Sequence, residues 1–340
     1  MSDLQIVELD PFDTDAFDAF YDVYLAAEQA AGDAGSPWMR EEVRVDHQER
    51  SARRWIGGFA GMVGGRVVAV GQLSTPLLDN LGSADLAVHV DPGFRRRGLG
   101  STMLAHLQRA ARDRGRSLLN AEATWGWSAG SDGAGEPGPD FARSQGFALG
   151  LSDVKRLVAL PVPEELLAAL ASEAAPHHAA YTLRSWEGPV PEELLRGWTS
   201  LTASLMTEAP TGGLEREPEL DDPAVVRESE AMLTKQGRRK YNTVALDGHG
   251  TVVAYTDVAT TLHEPGKAYQ WGTLVRHADR GHRLGLAVKV ANLQLLQRER
   301  PDLTTLVTYN AEVNSHMVAV NEQLGFAPVA RLGEFQKRLA

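Results

Sequence analysis

The stretch that decides the fold runs Ala84-Asp85-Leu86-Ala87-Val88-His89-Val90-Asp91-Pro92-Gly93-Phe94-Arg95-Arg96-Arg97-Gly98-Leu99-Gly100-Ser101. Apolar residues up to Val90 predict a strand. Asp91 to Phe94 break it, and the basic, glycine-bearing turn leads into a helix with Leu99, Met103, Leu104, Leu107 and Ala111 on one face. Strand, tight basic turn, helix is an anion-binding arrangement. Glycine lets the backbone approach a phosphate, the amides of the first helical turn lack intrahelical partners, and the helix dipole adds a favourable partial charge. The donors here are the amides of Arg96 to Ser101.

The pattern recurs. Tyr269-Gln270-Trp271-Gly272-Thr273-Leu274-Val275 is followed by a basic turn and by His282-Arg283-Leu284-Gly285-Leu286-Ala287, with a helix face of Leu284, Ala287, Val288, Ala291 and Leu295. Its donors are the amides of Arg283 to Val288. Each copy continues with a strand (117–124; 303–309) and reaches a Gly-Phe, Gly146-Phe147 or Gly325-Phe326. Gly98 and Gly285 are too far apart for a solenoid repeat, so the chain reads as a duplicated domain. The domain expectation is residues 1–160, closing with a strand over 155–160, a linker region over 161–180 that opens with a helix over 161–175, and residues 181–340. Both halves open with a strand (5–9; 181–186) and helices (15–30 and 40–54; 192–206 and 224–235). Three further strands follow (55–63, 66–73, 84–90; 241–246, 252–260, 268–275), turning at Gly64-Gly65 and Asp247-Gly248-His249-Gly250. The fold class is therefore α/β with a mixed sheet in each half. Gly126 to Pro139, rich in Gly, Ser and Pro, predicts a mobile loop where the second half has a helix.

Composition narrows the function. The 340 residues include no cysteine, which removes thiol nucleophiles, disulfides and Cys-ligated metal, and the ten histidines form no His-Glu-x-x-His pair. No metal is expected; His177-His178 reads as part of an Ala-rich linker. A net charge of −11 argues against a nucleic-acid binder. No apolar run is long enough to cross a membrane, and no basic, apolar leader opens the chain, so a cytoplasmic protein is expected. Neither turn is a Walker loop or a complete G-x-G-x-x-G.

The sequence resembles the GNAT superfamily of N-acetyltransferases, whose pyrophosphate loop has the pattern Q/R-x-x-G-x-G/A between a strand and a helix. Arg95, Gly98 and Gly100 match it; in the second half Gly285 and Ala287 match, with His282 in the leading place. The family's Asn, eleven residues before Gly-Phe, matches Asn314 and Gly325, whereas Gly135 stands at that place in the first half. The resemblance covers nearly the whole chain as two tandem GNAT-like domains, each a mostly antiparallel mixed sheet flanked by helices. This organisation is similar to that of mycothiol synthase-like enzymes.

The resemblance implies acetyl-CoA as the cofactor and direct acetyl transfer to a small primary amine. It implies contacts from Val88, His89, Val90, Arg95, Arg96, Arg97, Gly98, Leu99, Gly100 and Ser101 in the first half. In the second it implies Leu274, Val275, His282, Arg283, Leu284, Gly285, Leu286, Ala287, Asn314 and Asn321. Strand amides would polarise the thioester carbonyl. A carboxylate would take the amine proton, and a tyrosine would protonate the leaving thiolate. The tyrosine four residues before Gly-Phe is missing: Ala142 and Asn321 stand there. Tyr309, Glu312 and His316 are the catalytic candidates of the second half and Asp85 that of the first, with Gln270 near the place of Asp85 in the second. The complete Asn314 to Phe326 segment places the chemistry in the C-terminal half. A CoA-binding sensor or scaffold without catalysis is the alternative, and the oligomeric state stays open.

Overall fold

The computed structural model describes residues 4–339. In chain order the elements are β1 (Gln5–Glu8), α1 (Thr14–Gln29), α2 (Arg40–Gln48), β2 (Arg54–Val63), β3 (Arg66–Pro76), β4 (Ser83–Val90), α3 (Leu99–Asp113), β5 (Leu118–Gly126), α4 (Pro137–Ser144) and β6 (Ala148–Ala159). The second half follows with α5 (Glu164–Ala174), β7 (Thr182–Glu187), α6 (Glu192–Ala203), α7 (Leu205–Glu208), α8 (Pro223–Lys235), β8 (Arg238–Leu246), β9 (Val252–Thr261), β10 (Lys267–Val275), α9 (Leu284–Glu299), β11 (Thr305–Ala311), α10 (Ser315–Gln323) and β12 (Ala327–Arg338).

Two compact units emerge, and neither is one contiguous block of sequence. The N-terminal unit comprises Met1–Asp153, Thr211–Arg216 and Val329–Ala340; the C-terminal unit comprises Val154–Pro210 and Glu217–Pro328. The expected cuts at 160 and 181 thus differ from the observed units, because the chain returns to the first unit twice. The N-terminal sheet has the order β1-β2-β3-β4-β5-β12. Its neighbours are antiparallel except β4 and β5, which are parallel. The C-terminal sheet has the order β6-β11-β10-β9-β8-β7, with β10 and β11 parallel.

Local sequence explains most of these elements. Asp13 caps α1 by accepting from the amides of Asp15 and Ala16, and the helix buries Phe17, Phe20, Tyr21, Val23 and Ala27. Gly64 and Gly65 both have positive φ, 58° and 79°, as a tight hairpin turn between β2 and β3 requires. The buried face of α3 is Leu99, Met103, Leu104, Leu107 and Ala111, the face its periodicity predicts. In α9 burial extends almost all round, because α5 packs along it.

Residues 161–180 contain α5, within the helix expected over 161–175, and its Leu167, Leu170 and Ala174 are buried in the C-terminal core. Two expectations are corrected. The stretch after β5 carries α4 from Pro137, where proline at the first helical turn costs no hydrogen bond. Helix α2 stops at Gln48, six residues short of Arg54, which begins β2.

Candidate functional site

In each unit two parallel strands pair briefly and then part. β4 and β5 pair from Ser83↔Leu118 to Leu86↔Ala121, yet β4 runs on to Val90 and β5 to Gly126. β10 and β11 pair from Lys267↔Thr305 to Gln270↔Thr308 and then also diverge. Each divergence leaves a length of strand edge unpaired beside the basic loop, and such an edge accepts an extended ligand as an added strand. Val88 and Val90 turn their side chains onto the core under α3, and Leu274 and Val275 are likewise held by core contacts.

The two loops superpose by their hydrogen bonds. Arg95 Nε donates to the carbonyl of Val90 at 3.2 Å, and Arg280 Nε donates to that of Val275 at 3.3 Å. Arg280 therefore stands in the place of Arg95, and Gly285 in the place of Gly100. The spacing that set His282 against Arg95 and Ala287 against Gly100 is two residues out of register. Two left-handed positions follow in each loop. They are Arg96 (φ 64°) and Gly98 (φ 82°) in the first, and Gly281 (φ 88°) and Arg283 (φ 52°) in the second. Gly98 and Arg283 are the N-caps of α3 and α9. The sequence motif missed this because arginine and glycine exchange places at the two strained positions.

The loops differ in charge. Arg95 Nη2 donates to the carbonyl of Ala27 at 3.3 Å and Arg97 Nη2 to that of Gly93 at 3.1 Å. Among the described residues, Arg95, Arg96 and Arg97 have no carboxylate partner. In the C-terminal loop Arg280 pairs with Glu208 at 2.8 Å and Arg283 pairs with Glu173 of α5. His282 Nδ1 lies 3.2 Å from the carbonyl of His177, and its ring is 5.4 Å from that of Tyr181. A Cβ on Gly98 would meet nothing within 4 Å, so the space at that cap is open. Open backbone, the first-turn amides of Leu99, Gly100 and Ser101, and three unneutralised guanidinium groups fit a pyrophosphate.

Strand register then gathers groups on the N-terminal sheet face opposite α3. Asp85 lies opposite Asn120, and Asn120 Nδ2 donates to Asp85 Oδ1 at 2.9 Å. Glu122, the first residue of β5 beyond the parting, lies opposite Glu334 of β12. Arg216, brought in by the 211–216 segment, pairs with Glu334. Glu122 is accessible to solvent yet hemmed in by protein, as a group in a cleft is. Burial pushes its carboxyl up to about 7, helped by the carboxylates of Glu334, Asp85 and Asp153. Burial and then Glu334 raise Asp153 to about 7 as well, and burial raises Asp85 and Glu334. Sequence reasoning found Asp85 alone. Glu122 carried a readable signal, the one carboxylate on β5, flanked by Ala121 and Ala123. Asp153, Arg216 and Glu334 carried none, since only the returning segments and β6 bring them near.

The C-terminal unit arranges the matching region differently. β10 carries one residue more than β4 between parting and loop, a bulge between Gln270 and Thr273 against β9. The amide of Gly272 in that bulge donates to Asp257 Oδ1 at 2.7 Å, and Asp257 pairs with Lys240. Gly272 is required there, since a Cβ would sit 2.4 Å from the Tyr255 hydroxyl oxygen. Tyr309 stands where Glu122 stands in the first unit, just past the last β10–β11 pair. Glu312 lies in the turn after β11, and His316 is exposed in the first turn of α10. Asn314 caps α10, its side chain accepting from the amide of Met317 at 3.2 Å. Asn321 is buried, accepting from Lys289 Nζ at 2.8 Å and donating to Asn310 Oδ1 at 3.0 Å; Asn310 also accepts from Arg156 at 3.0 Å. Burial lowers the Lys289 ammonium to about 7. The candidates thus do not converge on one site: Asp85 belongs to the first unit, Tyr309, Glu312 and His316 to the second.

Comparison with known proteins agrees with this architecture. Residues 17–124, within the N-terminal unit, match the acetyltransferase (GNAT) family. The tandem GNAT protein from the clavulanic acid biosynthesis pathway is 27% identical, with a TM-score of 0.79 over 99% of this chain and 98% of that one. The GCN5-related N-acetyltransferase from Sphaerobacter thermophilus shares the fold at 15% identity, with a TM-score of 0.67 over 98% and 95% of the two chains. That from Kribbella flavida shares it at 15% identity and a TM-score of 0.51, over 99% and 71%. No curated protein sequence matches. Residues 17–124 thus carry the GNAT acetyltransferase family match, the whole chain shares the tandem GNAT fold, and the protein is an acyltransferase. Enzymes of this family generally use acetyl-CoA. Among the described residues, no helix is long and apolar enough to cross a membrane.

Proposed function

We propose that the protein transfers an acetyl group from acetyl-CoA directly to a small primary amine, and that the N-terminal unit carries the chemistry. The observation that carries this reading is the open basic loop beside the parted β4 and β5, with Asp85 and Glu122 on the adjoining sheet face. Acetyl-CoA supplies an activated acyl thioester. The amides of Leu99, Gly100 and Ser101 and the guanidinium groups of Arg95 to Arg97 would hold its pyrophosphate, and the edge of β4 over Val88 to Val90 its pantetheine arm. The carboxylates of Asp85, Glu122 and Glu334 attract and orient an ammonium group.

The sequence alone favoured the C-terminal half, and one observation keeps that second reading: β10 has a bulge against its antiparallel neighbour where β4 has none. Against it, the Gly272 amide is already bonded to Asp257, and the loop cations Arg280 and Arg283 are already paired. Incubation with acetyl-CoA and a panel of primary amines, following release of free thiol, tests the function. Turnover with at least one amine is expected, and its loss in an Asp85→Asn/Glu122→Gln double variant places the site. Turnover at background with every amine overturns the proposal.

A further inference from the structure

One side chain on the N-terminal cleft face has no role so far, although its strand backbone borders the pantetheine edge. His89 follows Asp85 and Ala87 along the same face of β4, in the stretch where β4 has left β5. Its Nε2 lies 3.2 Å from Glu28 Oε1, and its ring meets that of Tyr24 edge-on at 4.9 Å. Glu28 is fixed in turn, since its Oε2 accepts from the amide of Ser36 at 3.0 Å. Tyr24 is also fixed, its hydroxyl accepting from the amide of Trp38 at 2.7 Å. The carboxylate can only accept, so Nε2 carries the hydrogen and Nδ1 keeps the lone pair. This is the arrangement of a base held by an orienting carboxylate.

The surroundings favour chemistry over mere packing. His89 is half-buried, keeping 21% of its side chain accessible. Ala87, between Asp85 and His89 on this face, carries only a methyl group. The groups facing His89 are Tyr24 and Glu28 of α1, while Asp85 lies four residues back along the strand, about 13 Å away. Across the ladder β3 presents uncharged Val70 and Gln72. Arg95 reaches the same helix turn by bonding the carbonyl of Ala27, next to Glu28. The last turn of α1 therefore ties the anion loop to the histidine.

We infer that His89 is the proton acceptor for the amine in the N-terminal cleft, with Glu28 its positioning residue. The inference rests on the reading proposed above. The ammonium gives one proton to Nδ1 of His89, and the freed electron pair forms the bond to the acyl carbon. The carbon–sulfur bond breaks with its pair on sulfur, the second amine proton passes to that sulfur, and His89 returns its proton to solvent.

The test compares wild type, His89→Gln and Glu28→Gln as full-length chains, with 1,4-diaminobutane, D-glucosamine and L-lysine as probe acceptors across pH 5.5–9. His89→Gln is expected to lower kcat about 100-fold and to abolish the acidic limb of the pH profile, with CoA affinity unchanged. Glu28→Gln, which leaves the base in place but loosens its hold on the ring, is expected to lower kcat only about 10-fold, with the acidic limb present and CoA affinity unchanged. Full activity with the limb intact in His89→Gln overturns the inference. So does a parallel loss of CoA binding and turnover, the mark of a structural role. Should wild type turn over none of the probes, the proposed function fails separately. Imidazole NMR then decides the dyad: a neutral His89 protonated on Nε2 supports it, and one protonated on Nδ1 overturns it.

Discussion

The two strand–loop–helix regions share a backbone and differ in what their side chains do with it. Around β4 and α3 three arginines keep their charge unmatched, and the sheet face beside them is acidic. Around β10 and α9 Glu173 and Glu208 take up the matching cations, and a bulge amide is bonded to Asp257. Duplicated geometry is thus not duplicated function. An anion site requires charge left unpaired as well as the right turn, because a guanidinium already holding a carboxylate offers little further attraction.

Phe335→Ala tests the largest difference, the dependence of the first unit on the end of the chain. Phe335 of β12 is 1% exposed in the core under α3. Its truncation is expected to cost about 3–5 kcal/mol. Hydrogen exchange should then rise in β5 and α3 before it rises in β8 and β9. Equal protection losses in both units would mean that they unfold as one.

Lys289→Met probes the other core. The folded ammonium ionises near 7 rather than near 10.5, so between those values the unfolded chain holds more protons than the folded one. Wild-type stability contributed by this group rises with pH across that window, by roughly 3–5 kcal/mol, and is lowest below pH 7. The methionine variant should lack this rise in denaturant titrations at pH 6.5 and pH 9.5. A matching rise in both proteins would show that Asn321 keeps the lysine charged.

Gly98→Val and Arg283→Gly sharpen the loop comparison. Valine at φ 82° is strained and crowds the open cap, so CoA affinity should fall at least about 100-fold by calorimetry. Arg283→Gly relieves a left-handed arginine at the cost of its pair with Glu173. Stability should change by less than about 1 kcal/mol and CoA affinity should hardly move. A large loss of CoA from Arg283→Gly would return the working site to the C-terminal unit.

Much of this was legible in the residues themselves. The buried face of α3 was readable from a 3.6-residue period, and the hairpin at Gly64-Gly65 from two glycines. The Arg95 to Gly100 loop was readable from its motif, because each is a property of a few consecutive residues. The second loop was misread by two residues because the motif weighs glycines, while the backbone needs only two left-handed positions, one of which Arg283 fills. The acidic cleft was hidden for another reason. Glu122 and Glu334 are neighbours only because β12 pairs with β5, and no local pattern names the partner of a strand. The sequence by itself determined the duplication, the strand–turn–helix units and their buried faces, which follow from short-range periodicity. Tertiary structure alone decided which loop keeps its charge and which carboxylates share a cleft, since both depend on groups far along the chain, Glu173 and Glu208 or Arg216 and Glu334.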